Sequence, residues 1–142
     1  LARYQRRMAR CEKGSANPIL ARWLDEGRVV RACPEVAGGL PVPRPPAERR
    51  GGRVLANDGR DVTAEFERGA REALRLIQHF NIEVAVLKSG SPSCGSGFIY
   101  DGTFTKTRID GDGVTTALLR AHGVQVFSEL DWAAADAALT RG

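Results

Sequence analysis

The spacing of hydrophobic residues along the chain predicts four helices. In the first, Asn17 is a typical capping residue, Pro18 suits the first helical position, and Gly27 is a natural stop. In the second, which is the longest, apolar residues recur every three to four positions, as expected for one buried helix face. The predicted helices run from 17 to 27, from 63 to about 80, from 113 to 122 and from 131 onward.

Short apolar runs between these helices predict strands. Residues 28–33 form one such run, and 82–87 form a compact run that is typical of a strand buried on both faces. The remaining predictions are a strand at 124–127, a small hairpin pairing 54–55 with 61–62, and a hairpin over 98–104 that turns at Asp101-Gly102.

Alternation of strands with helices predicts an α/β fold. The expected architecture is a single three-layer, Rossmann-like domain over residues 1–142, with a mostly parallel sheet and a small hairpin. A length of 142 residues suits one domain, and a hydrophobic share of 42% is typical of globular proteins. The longest unbroken apolar stretches have about four residues, far fewer than the roughly 20 that a membrane helix needs.

Two unusual loops each follow a predicted strand. Residues 34–52 contain five prolines and four glycines, so a long loop rather than a helix is predicted there. Residues 89–97 form a second loop that is rich in Gly and Ser. Ligand sites of parallel sheets form at the carboxyl ends of strands. Cys33 and Cys94 are therefore expected to meet in space although they are far apart in the chain.

The net charge of +4 is concentrated in the first third of the chain. Through Arg53 there are 12 basic and 5 acidic residues, whereas the remainder has 9 basic and 12 acidic residues. Such a patch suits an anionic or nucleotide-like ligand, or is solvated surface. Aromatic residues make up 6% of the chain, too few for a surface that stacks bases, so nucleic-acid binding is not expected.

The candidate chemistry lies in the two loops. Three cysteines, Cys11, Cys33 and Cys94, are an odd number without tight pairing, which favours buried thiols, a catalytic thiol or metal ligands over disulfides. His79 and His122 lie near predicted helix ends, where surface or capping roles are expected. Because no Cys-x-x-Cys spacing occurs, a structural zinc site is not favoured.

Each loop offers reactive groups beside a cysteine. Glu35 follows Cys33 by two residues, which places an acid or base near a thiolate; the alternative is a buried thiol and an exposed carboxylate. Ser91, Ser93 and Cys94 offer two hydroxyls and a thiol on a backbone constrained by Pro and Gly. A nucleophilic Cys94 is possible, but both histidines are predicted to lie elsewhere.

Four segments form a recognisable set of motifs: CPEVAGGLPVPRPPAE at 33–48, LKSGSPSCG at 87–95, IYDGTF at 99–104 and VFSE at 126–129. In this order they resemble the 2-thiouracil desulfurase family, over a span from about Arg3 to Glu129. The resemblance implies a cytoplasmic bacterial enzyme with an oxygen-sensitive [4Fe–4S] cluster held by three cysteines. It also implies hydrolysis of the carbon–sulfur bond of a small thiolated base such as 2-thiouracil, without net redox change.

The same resemblance implies roles for individual residues. By motif match, Cys33 and Cys94 are two cluster ligands, Glu35 and Ser91 are the catalytic pair, and Ser93 contacts the substrate. The iron without a protein ligand binds the sulfur of the substrate, since a Lewis-acidic iron suits a soft ligand. A nearby carboxylate carries the proton as water attacks and sulfur leaves.

The chain departs from the family at its start. Family members begin with a strand that ends in a ligating cysteine and precedes Arg-Tyr-Asp-Gly, whereas here Arg-Tyr occupies positions 3–4 with no cysteine before it. We therefore expect the first strand and the third ligand upstream of Leu1, and little or no cluster in this chain. Because residues 6–13 lack apolar periodicity, Cys11 is expected to face solvent and is a weak candidate ligand.

A second class of function stays open at this point. The two loops of a non-catalytic module would bind a small ligand or a partner while the cysteines are inert. Iron and acid-labile sulfide in anaerobically prepared protein distinguish the enzyme from the module.

Overall fold

The computed structural model describes residues 6–10, 17–27, 29–32, 38–40, 46–88, 90 and 92–140. These residues form eight strands and four helices. The strands are β1 (Arg6–Arg10), β2 (Val29–Ala32), β3 (Ala47–Arg50), β4 (Arg53–Ala56), β5 (Ile82–Leu87), β6 (Phe98–Tyr100), β7 (Arg108–Asp110) and β8 (Gln125–Ser128). The helices are α1 (Pro18–Asp25), α2 (Thr63–Phe80), α3 (Val114–Ala121) and α4 (Trp132–Thr140). None of the helices in this part of the chain is both long and apolar enough to cross a bilayer.

A parallel sheet forms the centre of the fold. Its strand order is β2–β1–β5–β8, and all three pairings are parallel. Arg10 at the end of β1 lies in register with Ala32 at the end of β2. Parallel strands end at the same edge, so the chain leaves β1, β2, β5 and β8 on one side of the sheet. The predicted α/β class and mostly parallel sheet are confirmed.

Alternate side chains of β5 belong to two separate cores, as the two-residue period of a strand requires. Ala85 and Leu87 belong to a core shared with α2 and α3. Val84 and Val86 belong to a core shared with α1 and α4, in which the Trp23 ring meets the Trp132 ring at 5.4 Å between centroids. Glu83 is the one residue of this strand whose side chain is exposed.

The helices begin and end close to the predicted residues. The Asn17 side chain caps α1 by accepting a hydrogen bond from the N–H of Ile19 at 2.9 Å, and Gly27 follows with a φ of 65°. Helix α2 spans the predicted range, and its apolar face is buried at Phe66, Ala70, Ala73 and Ile77. Asn81 follows the helix as its C-terminal cap and has a left-handed φ of 53°. The helical periodicity of the sequence therefore predicted these elements well.

Strand β1 corrects an expectation about the start of the chain. The lack of apolar periodicity in residues 6–13 indicates a stretch with no anchor. Arg6–Arg10 nevertheless pairs with β2 on one side and β5 on the other. Hydrogen bonds of the backbone hold a strand between two neighbours whatever its side chains are, so pattern alone missed it. An additional segment before Leu1 stays a prediction.

The first hairpin differs from its prediction. β3 pairs with β4 across Gly51-Gly52, so the loop predicted over 34–52 stops before Ala47. The expected pairing of 54–55 with 61–62 is reduced to a single bridge between Leu55 and Asp61. Gly51, with a φ of 60°, supplies the left-handed residue of the turn. The hairpin was not predicted because the high Pro and Gly content of the whole segment indicated a loop.

The second predicted hairpin is also corrected. β6 pairs with β7, and residues 101–107 connect them in place of a tight turn at Asp101-Gly102. The Asp101 carboxylate accepts hydrogen bonds from the Thr103 hydroxyl at 2.6 Å and the Thr103 N–H at 2.9 Å, which hold the pKa of Asp101 below its ordinary value. Asp101 therefore caps a local turn with its side chain, while its own N–H donates to the carbonyl of Thr107 at 3.0 Å and continues the pairing of β6 with β7.

Candidate active site

The loop that follows β5 is fixed against the first turn of α3. The N–H of Val114 donates to the carbonyl of Pro92 at 2.8 Å, and the N–H of Thr115 donates to the carbonyl of Ser93 at 2.8 Å. The N–H of Gly113 donates to the carbonyl of Gly95, also at 2.8 Å. The first N–H groups of a helix have no partner within the helix, so the loop carbonyls satisfy them.

Gly113 makes this close approach possible. A Cβ atom at this position would lie 2.4 Å from the carbonyl carbon of Ser93 and 2.8 Å from the backbone nitrogen of Cys94. Real Cβ atoms essentially never approach other atoms so closely. Since the φ of Gly113 is −66°, glycine is required here for space and not for backbone conformation.

Cys94 lies in a buried group of hydroxyls. Its side chain is 1% exposed, and its Sγ lies 3.7 Å from Ser93 Oγ. Ser93 Oγ in turn lies 2.7 Å from Thr115 Oγ1. The Thr116 hydroxyl donates to the carbonyl of Cys94 at 2.9 Å. Ser93, Thr115 and Thr116 are all 0% exposed, so these three enclosed hydroxyls form hydrogen bonds to Cys94 or to each other.

Asp112 connects the end of this loop to neighbouring elements. Its carboxylate accepts a hydrogen bond from the N–H of Gly97 at 2.9 Å and pairs with Arg120 Nη1 at 2.8 Å. Arg120 Nη2 also donates to the carbonyl of Val126 at 3.2 Å, in β8. From β3, the Arg49 guanidinium donates to the carbonyl of Asp112. Gly97, at the end of the loop, is therefore linked through Asp112 to α3 and to β3.

The structure describes only some of the predicted site residues. Ser93 and Cys94 lie in the loop just described, whereas Cys11, Cys33, Glu35 and Ser91 lie outside the described residues. The meeting of Cys33 with Cys94 therefore stays a prediction. Within the described ranges, no group of three or more His, Cys, Asp and Glu side chains is placed to hold a metal ion.

The two histidines lie where the sequence predicted. His79 is exposed near the end of α2 and meets the Phe80 ring edge-on, with 4.7 Å between centroids. His122 is exposed at the end of α3, and its Nδ1 lies 3.0 Å from the carbonyl of Leu118. The predicted surface and capping positions are confirmed.

A cavity of about 420 Å³ lies away from Cys94. It opens where β5 and β8 begin, so it lies at the opposite edge of the sheet. Its lining is mixed and includes Gln78, Glu83, His122 and Gln125. The chemistry-bearing loop and this cavity are therefore separate features.

Sequence reasoning missed Gly113, Thr115 and Thr116. A Gly-Val-Thr-Thr sequence at the start of a predicted helix is the one available signal, because hydroxyl residues in a first helical turn often bond to nearby backbone or side chains. Nothing in the sequence shows that residues 92–95 pack against it.

Comparisons with known proteins identify the family of this chain. The family model described as 2-thiouracil desulfurase matches residues 2–131. The chain is 42% identical over 125 residues to the uncharacterized protein YbbK of Bacillus subtilis, covering 81% of this chain and 83% of that protein. A solved structure described as the [4Fe–4S]-dependent thiouracil desulfidase TudS is similar with a TM-score of 0.93 and 47% identity, over 97% of this chain and 99% of the other. The chain belongs to the 2-thiouracil desulfurase family, as the motifs indicated.

Proposed function

We propose that this chain hydrolyses the carbon–sulfur bond of a thiolated pyrimidine such as 2-thiouracil, using a [4Fe–4S] cluster held by three cysteines. The observation that carries the proposal is the buried Cys94 on a fixed loop that follows β5, in a chain 47% identical to a protein described as a [4Fe–4S]-dependent thiouracil desulfidase. The reaction converts a thiocarbonyl and water to a carbonyl and hydrogen sulfide. It needs no oxidant or reductant.

The cysteines of the chain fit a cluster, since thiolates are its usual ligands. Cys94 follows β5, and Cys33 follows Ala32, the last residue of β2. These two cysteines are proposed as ligands. For the third, the register of β1 supports Cys11 over a cysteine from an upstream segment, because Cys11 follows Arg10 and Arg10 is paired with Ala32. Arg6–Arg10 is anchored between β2 and β5, so the lack of apolar periodicity does not count against Cys11.

The roles of the polar residues follow the family motif. When bound, the cluster supplies an iron with an open position, which acts as a Lewis acid for sulfur. Glu35 would carry the proton that water loses and the departing sulfur gains, while Ser91 would orient the substrate. Contact between Ser93 and substrate also stays a prediction.

Two further statements belong to the same proposal. The division of β5 side chains between two cores supports a three-layer, Rossmann-like arrangement of helices around the sheet. An oxygen-sensitive cluster supports a reducing, cytoplasmic location.

Anaerobic purification followed by iron and acid-labile sulfide analysis tests the proposal. We expect brown protein that releases sulfide from 2-thiouracil, and loss of iron in Cys33→Ser and in Cys94→Ser. Glu35→Gln should keep its iron while turnover falls by roughly 10²-fold or more. A colourless wild-type protein without iron would overturn the proposal and favour a non-catalytic binding module.

The third ligand is decided by Cys11→Ser. Loss of iron in this variant would assign Cys11, because Cys33 and Cys94 alone leave the cluster one thiolate short. Full iron content would exclude Cys11 as the third ligand and favour the alternative prediction of an upstream cysteine.

A further inference from the structure

We propose that Ser93 and Thr115 form a hydroxyl relay that donates a hydrogen bond to the thiolate of Cys94 and so adjusts the electronic properties of the cluster. This inference rests on the proposed function. It assigns Thr115, which no family motif quoted above contains, a positioning role through Ser93. It also gives Ser93 the role of hydrogen-bond donor to the sulfur of Cys94.

The distances give the order of the three groups, and the chemistry of a thiolate gives the direction of the hydrogen bonds. Ser93 Oγ lies between Cys94 Sγ, at 3.7 Å, and Thr115 Oγ1, at 2.7 Å. A thiolate has no proton to give and only accepts, so the Ser93 hydroxyl donates toward sulfur once Cys94 is a ligand. A hydroxyl has one proton and two lone pairs, so Ser93 then accepts a hydrogen bond from the Thr115 hydroxyl.

Burial strengthens the interaction. Ser93 and Thr115 are 0% exposed and Cys94 is 1% exposed, so bulk water does not screen these groups. Hydrogen bonds in a low-dielectric interior are stronger and polarise one another along a chain. The Thr115 hydroxyl therefore acts on sulfur through Ser93.

The backbone holds both hydroxyls in place independently of the side chains. The N–H of Thr115 donates to the carbonyl of Ser93 at 2.8 Å, and the N–H of Thr116 donates to the same carbonyl at 3.2 Å. Removal of the Thr115 hydroxyl thus leaves the contact between α3 and the loop intact. A change in the reduction potential of the cluster would then result from loss of the relay and not from a displaced loop.

Thr116 provides a matched control. It is adjacent to Thr115 and equally buried, and its hydroxyl also makes one hydrogen bond, but to the carbonyl of Cys94 and not toward the thiol. Thr116→Val therefore removes a buried hydroxyl from the same helical turn without touching the relay.

The test is the reduction potential of the cluster in anaerobically loaded protein, with the Fe–S stretching frequencies from resonance Raman spectra. Hydrogen bonds to ligating sulfur favour the reduced, more negatively charged state. We expect Ser93→Ala to shift the potential to more negative values, and Thr115→Val to shift it less in the same direction. Thr115→Ser, which keeps the hydroxyl, and Thr116→Val should match the wild type.

The outcomes separate this inference from the proposed function. A wild-type protein that takes up no cluster overturns the proposed function and this inference with it. A loaded wild type whose potential and spectrum are unchanged in Thr115→Val overturns the relay alone. Should Ser93→Ala fail to load, the pair Thr115→Val and Thr115→Ser decides: equal shifts in both indicate packing and overturn the relay, and a shift in the valine variant alone supports it.

Discussion

The Glu48 carboxylate accepts a hydrogen bond from the N–H of Gly102 at 3.0 Å, joining β3 to the connection between β6 and β7. The same oxygen accepts a second bond from the N–H of Phe104 at 3.2 Å. Gly102 is buried, and a Cβ there would lie 2.8 Å from Arg50 Cβ, so the two segments are in close contact. Two of the family motifs therefore meet at one carboxylate.

Glu48→Ala should loosen the segment 101–107. A hydrogen bond to a charged group contributes about 1.5–3 kcal/mol, and this variant leaves two backbone N–H groups without their acceptor. We expect faster amide hydrogen exchange at Gly102 and Phe104, with Glu48→Gln intermediate because it keeps one amide oxygen. Glu67→Ala, on the exposed side of α2, is the control. Unchanged exchange at both amides would show that Glu48 does not hold this segment.

Trp23 anchors α1 against α4. It is 0% exposed, and its Nε1 donates to the Asp136 carboxylate at 3.0 Å. Trp23→Ala should lower the free energy of unfolding by about 3–5 kcal/mol, as measured by urea denaturation. Leu24→Ala, at a neighbouring position that is 40% exposed, should change it by less than about 1 kcal/mol. Equal losses in the two variants would contradict this account of the core.

Elements with strong periodicity were predictable from the sequence. The apolar stripe of α2 and the compact run of β5 indicated both type and bounds, because each buries a regular set of side chains. β1 and β3 were not, because Arg6–Arg10 and Ala47–Arg50 carry several arginines and form strands through pairing with neighbours. That pairing depends on residues distant in sequence, such as the match between Arg10 and Ala32.

The candidate site was predictable in its parts and not in its contacts. Cys94 and Ser93 were identified from a distinctive motif, and the carboxyl end of a parallel strand indicated where they would lie. Their contacts with Gly113 and Thr115, however, join two segments about 20 residues apart in the chain. The only sign of this close backbone approach in the sequence is a glycine. Glycine also occurs for many other reasons, so it does not identify the contact.

Asp61 should contribute to acid sensitivity. The Thr63 hydroxyl and N–H both donate to its carboxylate, at 2.6 and 2.9 Å, and lower the pKa of Asp61 from its ordinary value. A lowered folded-state pKa means that stability is present above the unfolded pKa, near about 3.9, and is lost as pH falls through the folded value.

The measurement is the free energy of unfolding from about pH 6 down to about pH 2. Stability should decline over this range in the wild type, and Asp61→Asn should show a smaller decline because its side chain does not titrate. At neutral pH the variant should be less stable than the wild type. Identical pH profiles would mean that the bonds from Thr63 are equally strong to the protonated carboxyl.

Gly113→Ala should disturb the cysteine loop more than any distant glycine substitution. Its new Cβ would overlap Ser93, whose backbone is held by hydrogen bonds from Thr115 and Thr116, so the loop or the start of α3 must move. Overpacking of this kind costs about 1–3 kcal/mol. Because the displaced backbone includes Cys94, the thiol should become accessible.

The comparison for this prediction is Gly52→Ala in the turn between β3 and β4. A Cβ there meets nothing within 4 Å, and Gly52 is not among the residues with positive φ. Gly52→Ala should leave the free energy of unfolding unchanged or raise it by up to about 1 kcal/mol, since alanine lowers the conformational entropy of the unfolded chain. Alkylation of Cys94, followed by peptide mass spectrometry on protein without cluster, should be faster only in Gly113→Ala. If Cys94 reacts at the wild-type rate in that variant, then the start of α3 moves instead of the loop. In that case the position of the cysteine does not depend on Gly113.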